Sequence, residues 1–114
     1  MEHRHYPRMQ VSLEVDLFKR DQHLGRAQTK DISLGGMMLY NQQPLVKHND
    51  LINMRLWLNG EEQVMRGLVI HTDHQSAGVM LIDMDKEVTR NFFTFLQEMK
   101  VPLQSALGVY KHDT

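Results

Sequence analysis

Residues 52–60 read INMRLWLNG, and this stretch decides the fold. Its apolar side chains occupy every second position, which is the period of a strand with one buried face. Asn59-Gly60 is the strongest short-range signal for a tight hairpin turn, and residues 63–71 form the predicted return strand. By the same alternation Trp57 faces outward. The segment therefore predicts an antiparallel hairpin with one apolar side.

Further extended segments lie on both sides of this hairpin. They are residues 10–19, 26–32, 37–40 and 78–84, separated by short stretches rich in turn-forming residues. Residues 41–50 contain Pro44 and are predicted to be a longer connection, with one short extended piece at 45–46. About six strands joined mostly by hairpins predict a small antiparallel barrel or a strongly curved sheet.

After Asp85 the apolar period lengthens to that of a helix, which we predict from about Lys86 to Lys100. Asp85 is the expected N-cap, and Pro102 is expected to stop the helix. One apolar side of this helix should close the barrel; it comprises Val88, Phe92, Phe95 or Leu96, and Met99. The predicted fold class is therefore mainly β, with one C-terminal helix.

Composition excludes several classes of function. The chain has 114 residues, a net charge of −1 and no cysteine, so we expect one domain that binds no nucleic acid and has no thiolate chemistry. It contains no apolar run long enough for membrane insertion and no apolar leader, so we expect a cytoplasmic protein. Motifs for a nucleophile or a phosphate-binding loop are absent from the sequence, and we expect no enzyme activity.

Two motifs carry the chemistry. Arg4 and Arg8 lie four residues apart beside Pro7, and a guanidinium group can grip phosphate oxygens, read the O6 and N7 acceptors of guanine, or stack on a purine. The second motif, residues 31–36, reads DISLGG. It offers a carboxylate, a hydroxyl and glycines that let a ligand approach the backbone. A dinucleotide that contains guanine would use both motifs.

The Arg-x-x-x-Arg pair followed by Asp-x-Ser-x-x-Gly resembles the paired signature of the PilZ domain family. This resemblance implies a six-stranded antiparallel β-barrel with a following helix, and binding of the bacterial second messenger cyclic di-GMP. It divides the chain into an N-terminal arm (1–9), the barrel with its helix (10–100) and a tail (101–114). The implied ligand residues are Arg4, Arg8, Asp31, Ser33, Gly35, Gly36 and His71.

In the mechanism that this resemblance implies, the messenger orders the arginine arm and so changes a surface read by an unidentified protein effector. No other cofactor is expected. The alternative is a PilZ-like adaptor that docks a protein and binds nucleotide weakly or not at all. A separate interpretation is that Asp31 and Ser33 cap a loop through local backbone hydrogen bonds, a role that is compatible with ligand binding. Seven histidines, with His71 and His74 close together, do not predict a metal site, because zinc requires three or four converging ligands.

Overall fold

The computed structural model describes residues 8–112 of the chain, and the side chains of residues 8–99. Six antiparallel strands form a closed barrel in the order β1-β2-β3-β6-β5-β4, and one helix follows them. The strands and the helix are β1 (Glu14–Lys19), β2 (Gln22–Ser33), β3 (Gly36–Tyr40), β4 (Leu51–Leu58), β5 (Glu61–Thr72), β6 (Ser76–Ile82) and α1 (Lys86–His112). The predicted fold class is confirmed.

Strand alternation fills the barrel interior as the sequence predicts. In β4 the side chains of Ile52, Met54, Leu56 and Leu58 are at most 3% exposed, whereas Trp57 between them is 46% exposed. The β4–β5 hairpin pairs Leu58 with Glu61 across the Asn59-Gly60 turn, where both residues have positive φ. That backbone conformation favours Asn and Gly, so the local sequence sets the register of the hairpin.

The helix α1 begins where the sequence predicts. The backbone N–H of Glu87 donates to Oδ1 of Asp85 at 3.0 Å, which makes Asp85 the N-cap. Phe92, Phe95 and Leu96 are buried against the barrel, and Phe93 is exposed on the other side of the helix. Within residues 8–112, no helix is long and apolar enough to cross a membrane.

Several predicted bounds differ from the structure, among them the start of β2, at Gln22 rather than at residue 26, and the end of β6, at Ile82 rather than at residue 84. The helix continues through Pro102 to His112. An interior proline removes one backbone hydrogen bond and crowds a carbonyl of the preceding turn, at a cost of about 3 kcal/mol, which disfavours a helix without forbidding it. Residues 45–46 form no strand, and β1 begins at Glu14 rather than at residue 10. Residues 10–13 alternate between polar and apolar side chains, but their backbone belongs to no strand. The neighbouring Met9 forms an isolated β-bridge to Ile32.

Candidate functional site

Four residues on neighbouring strands form a row on the outer surface of the barrel. Asp31 of β2 pairs with Met38 of β3, Met38 with Gly78 of β6, and Gly78 with His71 of β5. Adjacent strands lie about 4.8 Å apart, so the row spans roughly 14 Å of surface. We call this set of four residues the outer row.

Two β-bulges bring the ends of the outer row to the surface. In β2, Ala27 and Thr29 face the core, and strict alternation would turn Asp31 inward as well. Lys30 is the extra residue of a bulge, so the register shifts and Asp31 faces outward.

A second β-bulge, in β5, has the same effect at the His71 end of the row. In β5, Met65 and Val69 face the core, and the bulge at Ile70 turns His71 outward. Bulges are common beside binding sites because they re-aim side chains in this way.

Gly78 makes a narrow notch in the centre of the outer row. A Cβ atom placed on it would lie 3.6 Å from Cβ of His71, 3.7 Å from Cε of Met38 and 3.9 Å from Cγ1 of Ile70. These three side chains therefore surround a strand position that has no side chain of its own. A flat ring laid over the notch would contact one imidazole and two flexible or branched apolar groups.

Arg8 lies at the Asp31 end of the row. Its Nε donates to Oδ1 of Asp31 at 2.8 Å, and its Nη2 lies 2.5 Å from the same oxygen. The backbone holds this arrangement, because Met9 and Ile32 exchange two N–H to carbonyl hydrogen bonds of 2.8 and 2.9 Å. The two side chains are 21% and 27% exposed, so the ion pair is reachable by a ligand. Arg4 lies outside the described residues.

The loop after β2 is tightly organised around Ser33. The Ser33 hydroxyl accepts a hydrogen bond from the N–H of Gly35 at 3.2 Å and donates to the carbonyl of Gly36 at 3.3 Å. Ser33 is only 4% exposed. The carbonyl of Gly35 accepts from Leu81 of β6 at 3.0 Å. The hydroxyl thus stabilises the loop in this state, as the capping interpretation expects.

The structure brings six of the seven predicted ligand residues to one side of the barrel: Arg8, Asp31, Ser33, Gly35, Gly36 and His71. Sequence reasoning missed their neighbours Lys30, Met38, Ile70 and Gly78. A glycine inside a strand often marks a place where another group approaches the backbone closely, so Gly78 could have been identified from the sequence. Nothing in the local sequence marks the other three, because their positions follow from register.

A second polar cluster lies on the other side of the barrel. Asp16 is 4% exposed, and its Oδ1 accepts from Nε of Arg26 at 3.1 Å. This hydrogen bond is the main reason that the pKa of Asp16 is lowered from its ordinary value. His23 and Arg55 add further contacts to the same carboxylate. All its cations are matched to Asp16 or to glutamates, so the cluster is a structural network joining β1, β2 and β4.

Among the described residues, no group of three or more His, Asp or Glu side chains is placed to hold a metal ion.

The architecture defines a small closed-barrel domain with one capping helix. The family model described as PilZ domain matches residues 2–98, and the chain belongs to this family. PilZ domains are in general non-catalytic receptors for cyclic di-GMP. The comparison with curated proteins finds no match.

Solved structures share the fold at low sequence identity. The PilZ domain of YcgR from Escherichia coli with c-di-GMP is 12% identical, with a TM-score of 0.76 over 94% of this chain and 98% of that one. The MrkH–c-di-GMP complex of K. pneumonia is 17% identical, with a TM-score of 0.77 over 93% of this chain and 56% of that one. The PilZ domain of CeSA from a cellulose-synthesizing bacterium is 15% identical, with a TM-score of 0.69 over 82% and 98%.

Proposed function

We propose that this protein is a cytoplasmic, non-catalytic receptor that binds cyclic di-GMP on the outer row. The observation that carries the proposal is the Arg8–Asp31 ion pair at one end of the row, in a member of the PilZ family. Arg8 contacts Asp31 through Nε and Nη2, and its remaining N–H groups can bind a phosphate oxygen or guanine O6 and N7. Both contacts from Arg8 fall on Oδ1 of Asp31, so Oδ2 can accept N–H groups from guanine.

In this proposal Arg4 supplies a second guanidinium group to the same ligand. Gly35 and Gly36 keep the backbone of the loop close to the barrel, and Ser33 holds that loop in shape. His71 provides a ring at the far end of the row, over which a guanine base would stack. The row is roughly 14 Å long, which suits a ligand with two purine bases.

Calorimetric titration of the purified protein with cyclic di-GMP tests the function directly, and it gives the number of messenger molecules per chain. We expect saturable binding, and titration with GMP should give a much weaker signal because it lacks the second guanine and the ring of two phosphates. Absence of a saturable signal at tens of micromolar cyclic di-GMP would contradict the proposal.

His71→Ala is expected to weaken cyclic di-GMP binding about tenfold, since stacking of one base on a ring contributes about 1–3 kcal/mol. His74→Ala is the matched control, because His74 is an exposed histidine only three residues away in the β5–β6 turn. Both variants should unfold at the same temperature as the wild type. Equal affinities for the two variants would remove His71 from the site.

The signalling step that we propose is ordering of the N-terminal arm. When Arg4 and Arg8 engage the messenger, the arm that precedes Arg8 becomes fixed beside the outer row and changes the surface that an effector protein contacts, whereas Met9 is already bonded to Ile32. Amide hydrogen exchange of residues 2–9 with and without cyclic di-GMP measures this change. We expect added protection of residues 2–6 on binding, since Pro7 has no amide hydrogen, and equal exchange in both states would count against the mechanism.

A further inference from the structure

A patch of exposed apolar side chains lies beside the outer row. Leu51 of β4 pairs with Leu68 of β5, and Leu68 pairs with Met80 of β6, so the three form a continuous strip across the outer surface. Ile70 adjoins the strip at the bulge of β5. Leu51, Ile70 and Met80 are 49%, 51% and 41% exposed. Single exposed apolar residues are common, but a contiguous group on a small domain marks an interaction surface. We call these four residues the apolar patch.

The apolar patch shares its border with the proposed messenger site. Met80 pairs directly with Gly36 of the glycine loop. Ile70 contacts the notch at Gly78, where Cγ1 lies 3.9 Å from the position of a Cβ atom. A ligand on the outer row would therefore lie against one edge of the apolar patch. Through this shared border, a messenger on the outer row would be coupled to a partner on the patch.

The other end of the apolar patch is basic. A cavity of about 380 Å³ begins at Leu51, and its charged lining residues are Lys19, Arg20, Arg66 and Asp50. Lys19 pairs with Asp50 at 3.0 Å, and Arg66 lies 3.6 Å from Asp83. Arg20 has no ion pair with any residue of the range 8–99 whose side chains are described. The cavity therefore has a surplus of positive charge and room for a carboxylate-bearing side chain.

We propose that the apolar patch docks a segment of an effector protein that carries apolar side chains next to an aspartate or glutamate. The apolar groups cover Leu51, Leu68 and Met80, and the carboxylate enters the basic cavity near Arg20. This partner complements the surface in both polarity and charge. A second copy of the chain fits less well, because a two-fold contact through this patch would bring two positively charged cavities toward each other. Control of this docking by the messenger rests on the proposed function.

Selection of random 12-residue peptides displayed on phage against the purified full chain tests this proposal. The enriched peptides should combine apolar residues with Asp or Glu. A synthetic peptide of the enriched sequence should bind at least tenfold more weakly to Met80→Glu and to Arg20→Glu. Val64→Glu is the matched control, since Val64 is 53% exposed on β5 outside the patch and should leave peptide affinity unchanged.

Several outcomes would overturn the docking proposal. They are enrichment of neutral or basic peptides, equal loss of affinity in Val64→Glu, and failure to enrich any peptide whose binding depends on Met80. A wild type that sediments as a dimer, with Met80→Glu as a monomer, would assign the patch to a second copy instead. If Met80→Glu does not fold, as judged by circular dichroism, Arg20→Glu carries the test alone.

Cyclic di-GMP titrations of the same variants separate this inference from the proposed function. Arg20→Glu, at the end of the patch away from the outer row, should bind the messenger like the wild type, and the messenger should change the peptide affinity of the wild type at least threefold. Peptide binding without any messenger binding would refute the proposed function and leave docking intact. Messenger binding with no effect on peptide affinity would overturn the coupling across the shared border.

Discussion

Arg8→Ala is expected to weaken cyclic di-GMP binding at least a hundredfold. Arg8 is the described arginine of the motif, and its guanidinium group lies on Asp31 at the end of the outer row. Two charge-assisted hydrogen bonds to the ligand contribute about 3 kcal/mol together, and each tenfold change in affinity corresponds to about 1.4 kcal/mol. The substitution also leaves the carboxylate of Asp31 without its cation and facing an anionic ligand.

Arg8→Lys separates charge from geometry at this position. An ammonium group keeps the attraction to phosphate but lacks the planar fork that binds one oxygen with two N–H groups, so we expect an intermediate affinity. Arg90→Ala is the control, since Arg90 is an exposed arginine on α1. Calorimetry on the three variants measures the effect. If Arg8→Ala bound cyclic di-GMP with wild-type affinity, the messenger would have to bind elsewhere on the protein.

Asp31→Ala should have an effect similar to that of Arg8→Ala, because each group positions the other before the ligand arrives. The pair therefore predicts strong non-additivity: the double variant should lose little more affinity than either single variant. Additive losses would indicate that the two side chains bind the messenger independently.

The sequence predicts the strands and the first turns of the helix because those features are local. Period-two alternation defines the inner faces, Asn59-Gly60 defines one hairpin and Asp85 caps the helix. The passage of α1 through Pro102 was not predicted, since the rule that proline ends a helix states a cost and not a prohibition. Closure of the barrel depends on pairing between β1 and β4, which are far apart in the chain.

The site shows the same division between local and non-local information. The resemblance to PilZ domains supplied Arg8 and Asp31, which are in contact although they are 23 positions apart in the sequence. The outer row could not be predicted from alternation. Counting by twos from Thr29 and from Val69 places Asp31 and His71 in the core, and only the bulges at Lys30 and Ile70 place both on the surface. A bulge shifts the register by one residue, and hydrophobic pattern alone rarely reveals it.

Gly36→Ala is expected to lower the free energy of unfolding by about 3 kcal/mol, which corresponds to a melting temperature roughly 15 °C lower for a domain of this size. A Cβ atom at this position would lie 2.3 Å from the carbonyl oxygen of Val79, which is backbone and cannot rotate away. Strand β3 would have to move off β6, and the hydrogen bond between Gly35 and Leu81 at the edge of the glycine loop would be strained.

Gly78→Ala is the matched control for this substitution. Both glycines are buried and both belong to the β3–β6 ladder, where Gly36 pairs with Met80 and Gly78 with Met38. The nearest atom to a Cβ on Gly78 is 3.6 Å away, which is ordinary contact, so the stability of this variant should lie within about 1 kcal/mol of the wild type. Thermal unfolding followed by circular dichroism measures both variants. A loss of stability in Gly36→Ala alone would show that glycine is required there because β6 passes close beneath the glycine loop. Similar losses of stability in both variants would instead mean that glycine is required throughout this ladder for its backbone freedom.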